Sequence, residues 1–257
     1  MRSPKAKSAP RPRFYAPDLD PSAEETTLPA DESHHLVRVM RLGRGDEVSV
    51  FDGRGREFHA HVLRADRNAT VVSLDEPVDV PAAPAVETTL VQAVLKGDKM
   101  DEVVRDATMA GVARVVPIVT ERTLVKPSML ERAHARARWE RVAISSAKQC
   151  RRASLPTIDP PCTFHDWLAS PAVGRRLLLV EPSAGDGLAV PLRDGLTGSP
   201  KAVSCAVGPE GGWTAEEQQA ASSAGCVLVS LGPMTLRADA VGLVAVSLIL
   251  FALDSSA

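Results

Sequence analysis

The stretch from Val203 to Leu250 reads VSCAVGPEGGWTAEEQQAASSAGCVLVSLGPMTLRADAVGLVAVSLIL and decides the fold of the chain. It begins with an apolar run of small and β-branched residues, Val203–Val207, which breaks at the glycine-rich segment Gly208–Trp213. After a polar, alanine-rich segment, a second apolar run, Cys226–Leu231, breaks at Gly232-Pro233 and leads into a long apolar segment. This order predicts strand, loop and helix, twice over. Both loops then follow the carboxyl ends of strands, where ligands bind in open α/β sheets.

The first loop contains residues suited to close contact with a small ligand. Glycines from Gly208 to Gly212 permit positive φ and let backbone polar groups approach a guest. Thr214, with Glu217 three residues later, forms a capping-box pattern that predicts the start of a helix. A carboxylate there disfavours a phosphate, since anions prefer helix N-termini without a competing negative charge. Neither G-x-G-x-x-G nor G-x-x-x-x-G-K-[ST] occurs in the stretch. A plain structural turn has the same glycines, so they identify no ligand by themselves.

Read as a pair, the two loops resemble those of a known family. Gly208-Pro209-Glu210-Gly211-Gly212, followed by Leu231-Gly232-Pro233-x-x-Leu236-Arg237, resembles the SPOUT class of RNA methyltransferases. Within that class the chain is most similar to the ribosomal RNA small subunit methyltransferase E family, which methylates N3 of a uridine in 16S rRNA. Further matching segments occur in the same order: Lys96–Asp101, Gly111-Val112, Pro117, Thr120–Arg122 and Gln149–Arg151. The resemblance therefore spans nearly the whole chain.

This resemblance implies a fold class, a cofactor and a set of cofactor-binding residues. The implied fold is α/β, a SPOUT-type parallel sheet with a C-terminal trefoil knot, plus a small N-terminal PUA-like β-barrel. The implied cofactor is S-adenosyl-L-methionine, held by the two loops and by a third loop after an earlier strand. The residues implied to bind it are Leu179, Val180, Glu181, Gly208, Pro209, Glu210, Gly211, Gly212, Leu231, Gly232, Pro233, Leu236, Asp239 and Ala240.

Length and composition are compatible with two domains. With 257 residues, of which 44% are apolar, the chain can bury a sizeable core. Residues 1–12 begin with a segment rich in proline, serine and lysine, and we expect a flexible tail. Residues 13–80 contain short β-like runs, and the resemblance implies that they form the PUA-like RNA-binding barrel. After a proline-containing linker at 77–84, strand-like and helix-like segments alternate through residues 85–257, the expected methyltransferase domain.

Charge is distributed unevenly, although the net charge is only −2. Residues 122–152 contain nine Lys or Arg and two acids, and a capping-box pattern at Ser128 and Glu131 predicts one basic helix through about Gln149. Such a surface provides salt-sensitive affinity for RNA, and a solvated helix face explains it equally well. The partner implied by the resemblance is 16S rRNA in the small ribosomal subunit. Its candidate contacts are Arg13, Arg38, Arg41, Arg122, Gln149, Arg151 and Arg152.

Arg237 is the candidate catalytic residue. N3 of uracil bears a proton near neutral pH and is a poor nucleophile until negative charge can build up on the imide. A guanidinium near O2 or O4 stabilises that charge without itself titrating. Arg237 lies in the second loop, beside the implied cofactor site. Alternatively, it pairs with Asp239 or Glu210 and braces the loops. The sequence assigns no general base.

Two positions depart from the family pattern. Where the family has Arg-Thr-Glu-Thr-Ala, this chain has Arg237-Ala238-Asp239-Ala240-Val241, which keeps the negative charge on a shorter stem and loses the hydroxyls. Where the family has Glu-Gln-x-x-Arg, this chain has Lys148-Gln149-Cys150-Arg151-Arg152, which reverses one charge near the expected RNA side. Substrate contacts are therefore less well defined by the resemblance than the cofactor loops are.

Several other classes of function are disfavoured. The four cysteines are Cys150, Cys162, Cys205 and Cys226. They form no C-x-x-C pair, which argues against a zinc site and a disulfide framework and suits a reducing cytosol. No Cys or carboxylate joins His34, His35, His59 and His61 at ligand spacing, so we expect no metal. The longest apolar run, 240–253, is shorter than the ~20 residues of a membrane helix. We therefore expect a cytoplasmic protein without a membrane partner.

The C-terminal segment bears on assembly. Its apolar residues, between 241 and 250, lie nearly all round the predicted helix, which is more than a surface helix needs. The resemblance implies a homodimer through this helix, and burial inside a monomer is the alternative.

Two rival functions stay open at this stage. One is SPOUT methylation of another RNA, and the other is RNA binding during ribosome assembly without catalysis. Identifying the methylated nucleoside separates all three possibilities.

Overall fold

The computed structural model describes residues 11–132, 134–182 and 189–253. Within them the chain forms two compact units. The first unit comprises the chain up to Ala82 together with Lys148–Leu155, and the second comprises Ala83–Ala147 and the chain from Pro156 onward. Most of the predicted tail, residues 1–10, lies outside the described residues. The domain boundary predicted at residues 80–85 places residues 148–155 in the second domain, whereas in the structure they pack with the first unit.

The first unit is a curled five-stranded sheet beside one short helix. Its elements are β1 (Arg13–Tyr15), β2 (Glu25–Thr27), α1 (Ala30–His34), a π-helical turn (His35–Val39), β3 (Glu47–Phe51), β4 (Glu57–Arg64) and β5 (Val71–Ser73), with strand order β1-β3-β4-β5-β2. Alternation along β3 and β4 directs Val48, Val50, Ala60 and Val62 into one core. The turn after β3 is held by the buried carboxylate of Asp52, which accepts hydrogen bonds from two arginines, Arg54 and Arg56.

Residues 148–155 are attached to the first unit by backbone and side-chain hydrogen bonds. Leu155 N–H donates to the Gly53 carbonyl at 2.8 Å, and Gly55 N–H donates to Ala153 at 3.1 Å. Arg13 donates to the carbonyls of Lys148 and Arg152 at 3.0 and 3.1 Å. These bonds satisfy backbone groups of a segment distant in sequence, so the segment is an integral part of this unit.

The second unit is an eight-stranded parallel sheet with helices on both faces. Its strands are β6 (Glu87–Ala93), β7 (Arg114–Val119), β8 (Thr157–Ile158), β9 (Cys162–Thr163), β10 (Arg175–Leu179), β11 (Val190–Pro191), β12 (Ala202–Val207) and β13 (Val227–Ser230). Its helices are α2 (Lys99–Ala110), α3 (Pro127–Arg132), α4 (Ala135–Cys150, whose last three residues belong to the first unit), α5 (Phe164–Ala169), α6 (Leu192–Gly195), α7 (Ala215–Ser223) and α8 (Ala238–Leu253). The strand order is β11-β13-β10-β12-β6-β7-β8, and β9 pairs with β7. The predicted α/β class is confirmed, and the trefoil knot stays a prediction.

Both faces of the sheet are apolar, as in parallel sheets generally. Leu90 points to a core shared with α2 and α8, whereas its neighbour Val91 points to a core shared with α5 and Trp213. Helix α8 packs closely on β6, since a Cβ at Gly242 would lie 3.2 Å from the Leu90 side chain. The predicted basic helix is wrong in one respect: it is two helices, α3 and α4, separated by His134 at φ 45.

Two properties of the described residues bear on the disfavoured classes. No helix there is long and apolar enough to cross a membrane. Over those same residues, no cluster of three or more His, Cys, Asp or Glu side chains could hold a metal ion.

Candidate active site

Three loops meet at the carboxyl ends of the adjacent strands β13, β10 and β12. They enclose an open cavity of about 380 Å³. The predicted residues that line it are Leu179, Val180, Glu181, Gly208, Pro209, Glu210, Gly211, Gly212, Leu231, Leu236, Arg237 and Asp239. Gly232, Pro233 and Ala240, also predicted, are not among the lining residues. The cavity additionally contacts residues that were not predicted: Lys99, Pro182, Val207, Trp213, Gln218, Met234, Thr235, Ala238 and Val241.

Trp213 joins two of these loops. Its indole Nε1 donates a hydrogen bond of 2.8 Å to the carbonyl of Leu179, and its ring packs on Phe164 with centroids 4.8 Å apart. A Cβ at Gly208 would lie 3.1 Å from the indole, so glycine leaves the space that the ring fills. Gly212, at φ +69, adopts the left-handed backbone that turns the chain into Trp213. The glycine-rich loop is therefore shaped by its own tryptophan and by the end of β10.

Glu217 connects the glycine-rich loop to the loop that follows β7. The predicted capping box with Thr214 is present, with Thr214 N–H donating to the Glu217 carboxylate at 3.0 Å and Glu217 N–H donating to the Thr214 hydroxyl at 3.1 Å. The same carboxylate, only 4% exposed, also accepts from the backbone N–H of Glu121 at 2.9 Å. One buried carboxylate thus ties the loop after β7 to the start of α7.

Arg122, a predicted RNA contact, instead lines the cavity. Its Nη1 donates to the carbonyls of Gly211 and Trp213, at 2.9 and 3.3 Å. The Arg122 side chain also leaves little space for a side chain at Gly211, since a Cβ there would lie 3.2 Å from Arg122. These contacts give Arg122 a bracing role, so we leave it out of the proposed RNA surface.

Two ion pairs border the cavity. Glu210 accepts from Lys99 Nζ at 2.9 Å. Burial raises the pKa of Glu210, but the hydrogen bonds from Lys99 and from backbone N–H groups outweigh it and hold the pKa below its usual value. Arg237 pairs with Asp239, which raises the pKa of the guanidinium and lowers that of the carboxyl. An ion pair between Arg237 and Asp239 is the one expected if Arg237 only braces the loops. The Arg237 side chain is nevertheless 77% exposed at the cavity mouth.

Glu181 supplies the remaining carboxylate of the cavity. Across 11–132, 134–182 and 189–253, no basic side chain forms an ion pair with it. Lys99 and Arg237 are paired with Glu210 and Asp239, and Arg122 is bound to carbonyls. The lining contains three cationic and three anionic side chains, and among the described residues Glu181 is the carboxylate without an ion-pair partner, so it is free to face a positively charged group of a guest. Apolar walls with a few polar groups are typical of small-molecule sites.

The other candidate RNA contacts lie in the first unit and differ in exposure. Arg38, Arg41, Gln149 and Arg151 are exposed. Arg13 is not: its side chain is 8% exposed and forms a 2.7 Å ion pair with Glu57. Since its guanidinium is occupied by that buried pair, we do not retain it as a phosphate contact.

Two further basic residues of this unit are also engaged within the protein. Arg152 is partly buried, which lowers the pKa of its guanidinium, and its Nε donates to Ser154 at 3.0 Å. Lys148, where the family has Glu, forms an ion pair with the buried carboxylate of Glu32. Its charge is therefore neutralised locally and adds little to the expected RNA side.

Helix α4 is less basic than its sequence indicates. Arg138 donates to Asp98 and Asp101, and Arg136 pairs with Glu140. The sequence alone does not identify Arg138 as the partner of Asp98, because the two residues lie 40 positions apart. The solvated-face alternative therefore describes part of this helix.

Comparison with known proteins agrees with the two-unit architecture. A family model for the RNA methyltransferase domain matches residues 82–250, and one for the RNA methyltransferase PUA domain matches residues 28–74. A ribosomal RNA small subunit methyltransferase E from Synechocystis sp. is 33% identical over 237 residues, covering 89% of this chain and 74% of that protein.

Two solved structures are similar over almost their full lengths. A ribosomal RNA small subunit methyltransferase E from Neisseria gonorrhoeae, bound to S-adenosyl methionine, has a TM-score of 0.83 and 27% identity, covering 93% of this chain and 96% of that one. A methyltransferase from Legionella pneumophila, in complex with bound SAM, has a TM-score of 0.86 and 26% identity, covering 95% and 98%. Because the methyltransferase model spans most of the chain and the named relative exceeds 30% identity, the chain belongs to the ribosomal RNA small subunit methyltransferase E family of RNA methyltransferases.

Proposed function

We propose that this protein transfers a methyl group from S-adenosyl-L-methionine to N3 of one uridine in 16S rRNA of the small ribosomal subunit. The observation that carries the proposal is the cavity where β10, β12 and β13 end, with its glycine-rich backbone and its unpaired carboxylate. The named relatives, which are small-subunit rRNA methyltransferases, support the substrate. The neighbour bound to S-adenosyl methionine supports the cofactor. We place the reaction in the cytoplasm.

The lining suits this cofactor in charge and in shape. A sulfonium and an amino group are both cationic, and Glu181 offers the carboxylate that no other side chain neutralises among the described residues. Gly208 and Gly212 let backbone groups approach the guest, and Leu179, Val207 and Leu231 provide apolar walls. Trp213 and Arg122 hold the glycine-rich loop in place through hydrogen bonds to the carbonyls of Leu179 and Gly211.

Bound in this cavity, the cofactor supplies an electrophilic methyl group. Transfer of that group to N3 would leave the cofactor as a neutral thioether, and the N3 proton would be lost to solvent. Negative charge builds on the uracil oxygens as that proton leaves. Arg237 stabilises this charge from the cavity mouth, and Asp239 orients the guanidinium through its hydrogen bonds. Holding the base in line with the methyl group contributes the proximity effect.

The decisive experiment incubates small subunits from a strain lacking the gene with the protein and radiolabelled cofactor, then digests the RNA to nucleosides. We expect label in 3-methyluridine. Arg237→Ala should lower turnover by roughly 10² or more, while the dissociation constant for the cofactor changes little. Arg193→Ala is the matched control, because Arg193 is an exposed arginine of the same unit outside the cavity.

Other outcomes assign the protein elsewhere. Label in another base or in a 2′-O-methyl nucleoside indicates a different SPOUT target. Absence of label, from folded protein that binds the cofactor in calorimetry, indicates an assembly factor without catalysis.

We further propose that the protein is a homodimer through α8. Three large apolar side chains of that helix are exposed, with relative exposures of 39%, 43% and 78% for Leu243, Leu248 and Phe251. Their spacing places them on one face of the helix, opposite the buried Ala245, Val246 and Ile249. A second copy of the same face would cover them. Light scattering at micromolar concentration should give twice the chain mass, and Phe251→Glu should give the monomer; a monomeric wild type contradicts the proposal.

A further inference from the structure

The first unit presents a strained tip between α1 and β3. The helix widens into a π-helical turn over His35–Val39, in which Met40 N–H donates to the His35 carbonyl at 3.0 Å. Arg41 follows at φ 57, a left-handed conformation that costs free energy for a residue with a side chain. Leu36, which is fully buried, anchors the turn in the core. Both π-helical turns and left-handed non-glycine residues are concentrated at functional sites.

The residues at this tip are apolar and exposed. Val39 and Met40 are 59% and 43% exposed, and they are adjacent in the chain. A single exposed apolar side chain is ordinary, but here two stand together at the end of a π-helical turn. Leu42 N–H donates to the Leu36 carbonyl at 3.0 Å, so Arg41 is the left-handed residue that ends the helix, and this turn holds Val39 and Met40 at the surface.

Arginines flank the two apolar residues. Arg38, Arg41 and Arg44 are all exposed, and within the part of the chain that the structure describes none of them forms an ion pair. The nearby carboxylate of Asp46 is engaged by Gly43 N–H at 2.8 Å. Positive charge around an apolar tip complements a polyanion whose interior is apolar, as in a nucleic acid whose bases are unstacked.

We infer that the Val39–Met40 tip packs against an unpaired or unstacked base of the RNA, while Arg38, Arg41 and Arg44 bind the flanking phosphates. Apolar side chains inserted at base steps are an established mode of nucleic-acid binding, and the methionine sulfur adds a favourable contact with an aromatic ring. In a regular duplex the same contact requires a base step to be unstacked first, which costs about a few kcal/mol, so RNA that is already unstacked is favoured. The tip therefore selects RNA with a disrupted helix or an open loop. This inference deepens the proposed function and rests on its RNA substrate.

The test compares two RNA probes, a hairpin with an unpaired loop and a blunt duplex of the same base composition. Fluorescence anisotropy gives the dissociation constants of full-length protein over a salt series. We expect the double variant Val39→Ser, Met40→Ser to bind the hairpin about tenfold more weakly and the duplex unchanged, with the same salt dependence. The double variant Arg38→Ala, Arg44→Ala should weaken binding to both probes and reduce the salt slope by roughly 1 to 2.

Leu63→Ser is the matched control, since Leu63 is an apolar residue of the same unit with similar exposure, 42%. It should leave both affinities unchanged, and circular dichroism should show all variants folded. Equal losses on hairpin and duplex, or no loss on either, would overturn the inference. Methyl transfer to small subunits by the wild type is measured in parallel. If that fails while the hairpin preference depends on the tip, the proposed function is wrong and the inference stands; if it succeeds without such dependence, only the inference is wrong.

Discussion

Replacing Glu217 with alanine removes the carboxylate that joins two parts of the candidate active site. In the native protein its oxygens accept from the backbone N–H groups of Thr214 and Glu121, at 3.0 and 2.9 Å. The site is 4% exposed, so water does not readily replace the lost acceptor. Once the bond to Glu121 is lost, the neighbouring Arg122 is less firmly placed against the carbonyl of Gly211.

The expected loss of stability follows from those two bonds. Hydrogen bonds to charged groups contribute about 1.5–3 kcal/mol each, so the two together set a range of about 3–6 kcal/mol. Local relaxation returns part of this, and we expect the free energy of unfolding to fall by about 3 kcal/mol. Glu217→Gln keeps one acceptor and turns an amide donor toward the other N–H, so about half that loss is expected.

Urea denaturation followed by tryptophan fluorescence measures this effect directly. All three tryptophans, Trp139, Trp167 and Trp213, belong to the second unit and therefore report its unfolding. The midpoint should fall by roughly 1 M urea for Glu217→Ala. Calorimetry should show the cofactor binding about tenfold more weakly, equivalent to about 1.4 kcal/mol.

Glu216→Ala is the matched control, because Glu216 lies in the same helical turn and is exposed. It should change the free energy of unfolding by less than about 0.5 kcal/mol. If the two alanine variants unfold at the same urea concentration, the carboxylate of Glu217 does not brace the loops and the reasoning fails.

Three further predictions concern other parts of the molecule. Lys148→Glu places two carboxylates together at Glu32 and should destabilise the protein by about 3 kcal/mol, and adding Glu32→Lys should restore much of the thermal stability seen by circular dichroism; no restoration would mean that the pair is not the cause. Burial raises the pKa of Cys205 to about 12, so iodoacetamide at pH 8 should alkylate it only in urea, and labelling of the native protein, read by mass spectrometry, would contradict this. Burial raises the pKa of Asp52, but hydrogen bonds from Arg54 and Arg56 outweigh burial and hold that pKa below its usual value. The Asp52 carboxylate therefore contributes its full stabilisation above about pH 4, and this stabilisation is lost as the pH falls through the lowered pKa. An acid titration of unfolding should show this loss in the native protein and not in Asp52→Asn.

Local patterns in the sequence were sufficient for the framework of the candidate site. The two strand–loop–helix units between Val203 and Leu253 are present, since apolar runs broken by Gly-Pro define strand ends within a few residues. The capping box at Thr214 is likewise present, because both of its partners lie within one helical turn. The predicted loops converge because parallel strands that neighbour each other end at the same edge of the sheet.

Tertiary structure decided which charges are available to a ligand. Arg13 and Arg38 are both arginines in a basic N-terminal region, yet one is in a buried ion pair with Glu57 and the other is exposed. Nothing within a few residues of either distinguishes them. The same holds for Lys148, whose partner Glu32 is 116 residues away.

What the sequence by itself determined is therefore the strand–loop–helix units around the cavity, the family and the loops that form the cavity. Only the tertiary structure showed that Trp213 donates a hydrogen bond to the end of β10 and that Arg122 donates one to the carbonyl of Gly211. It alone also showed that residues 148–155 belong to the first unit. The physical reason is the range of the interactions. Periodicity and capping are set by neighbours within about one helical turn, whereas these hydrogen bonds join positions 34 to 139 residues apart that meet only after the chain has packed.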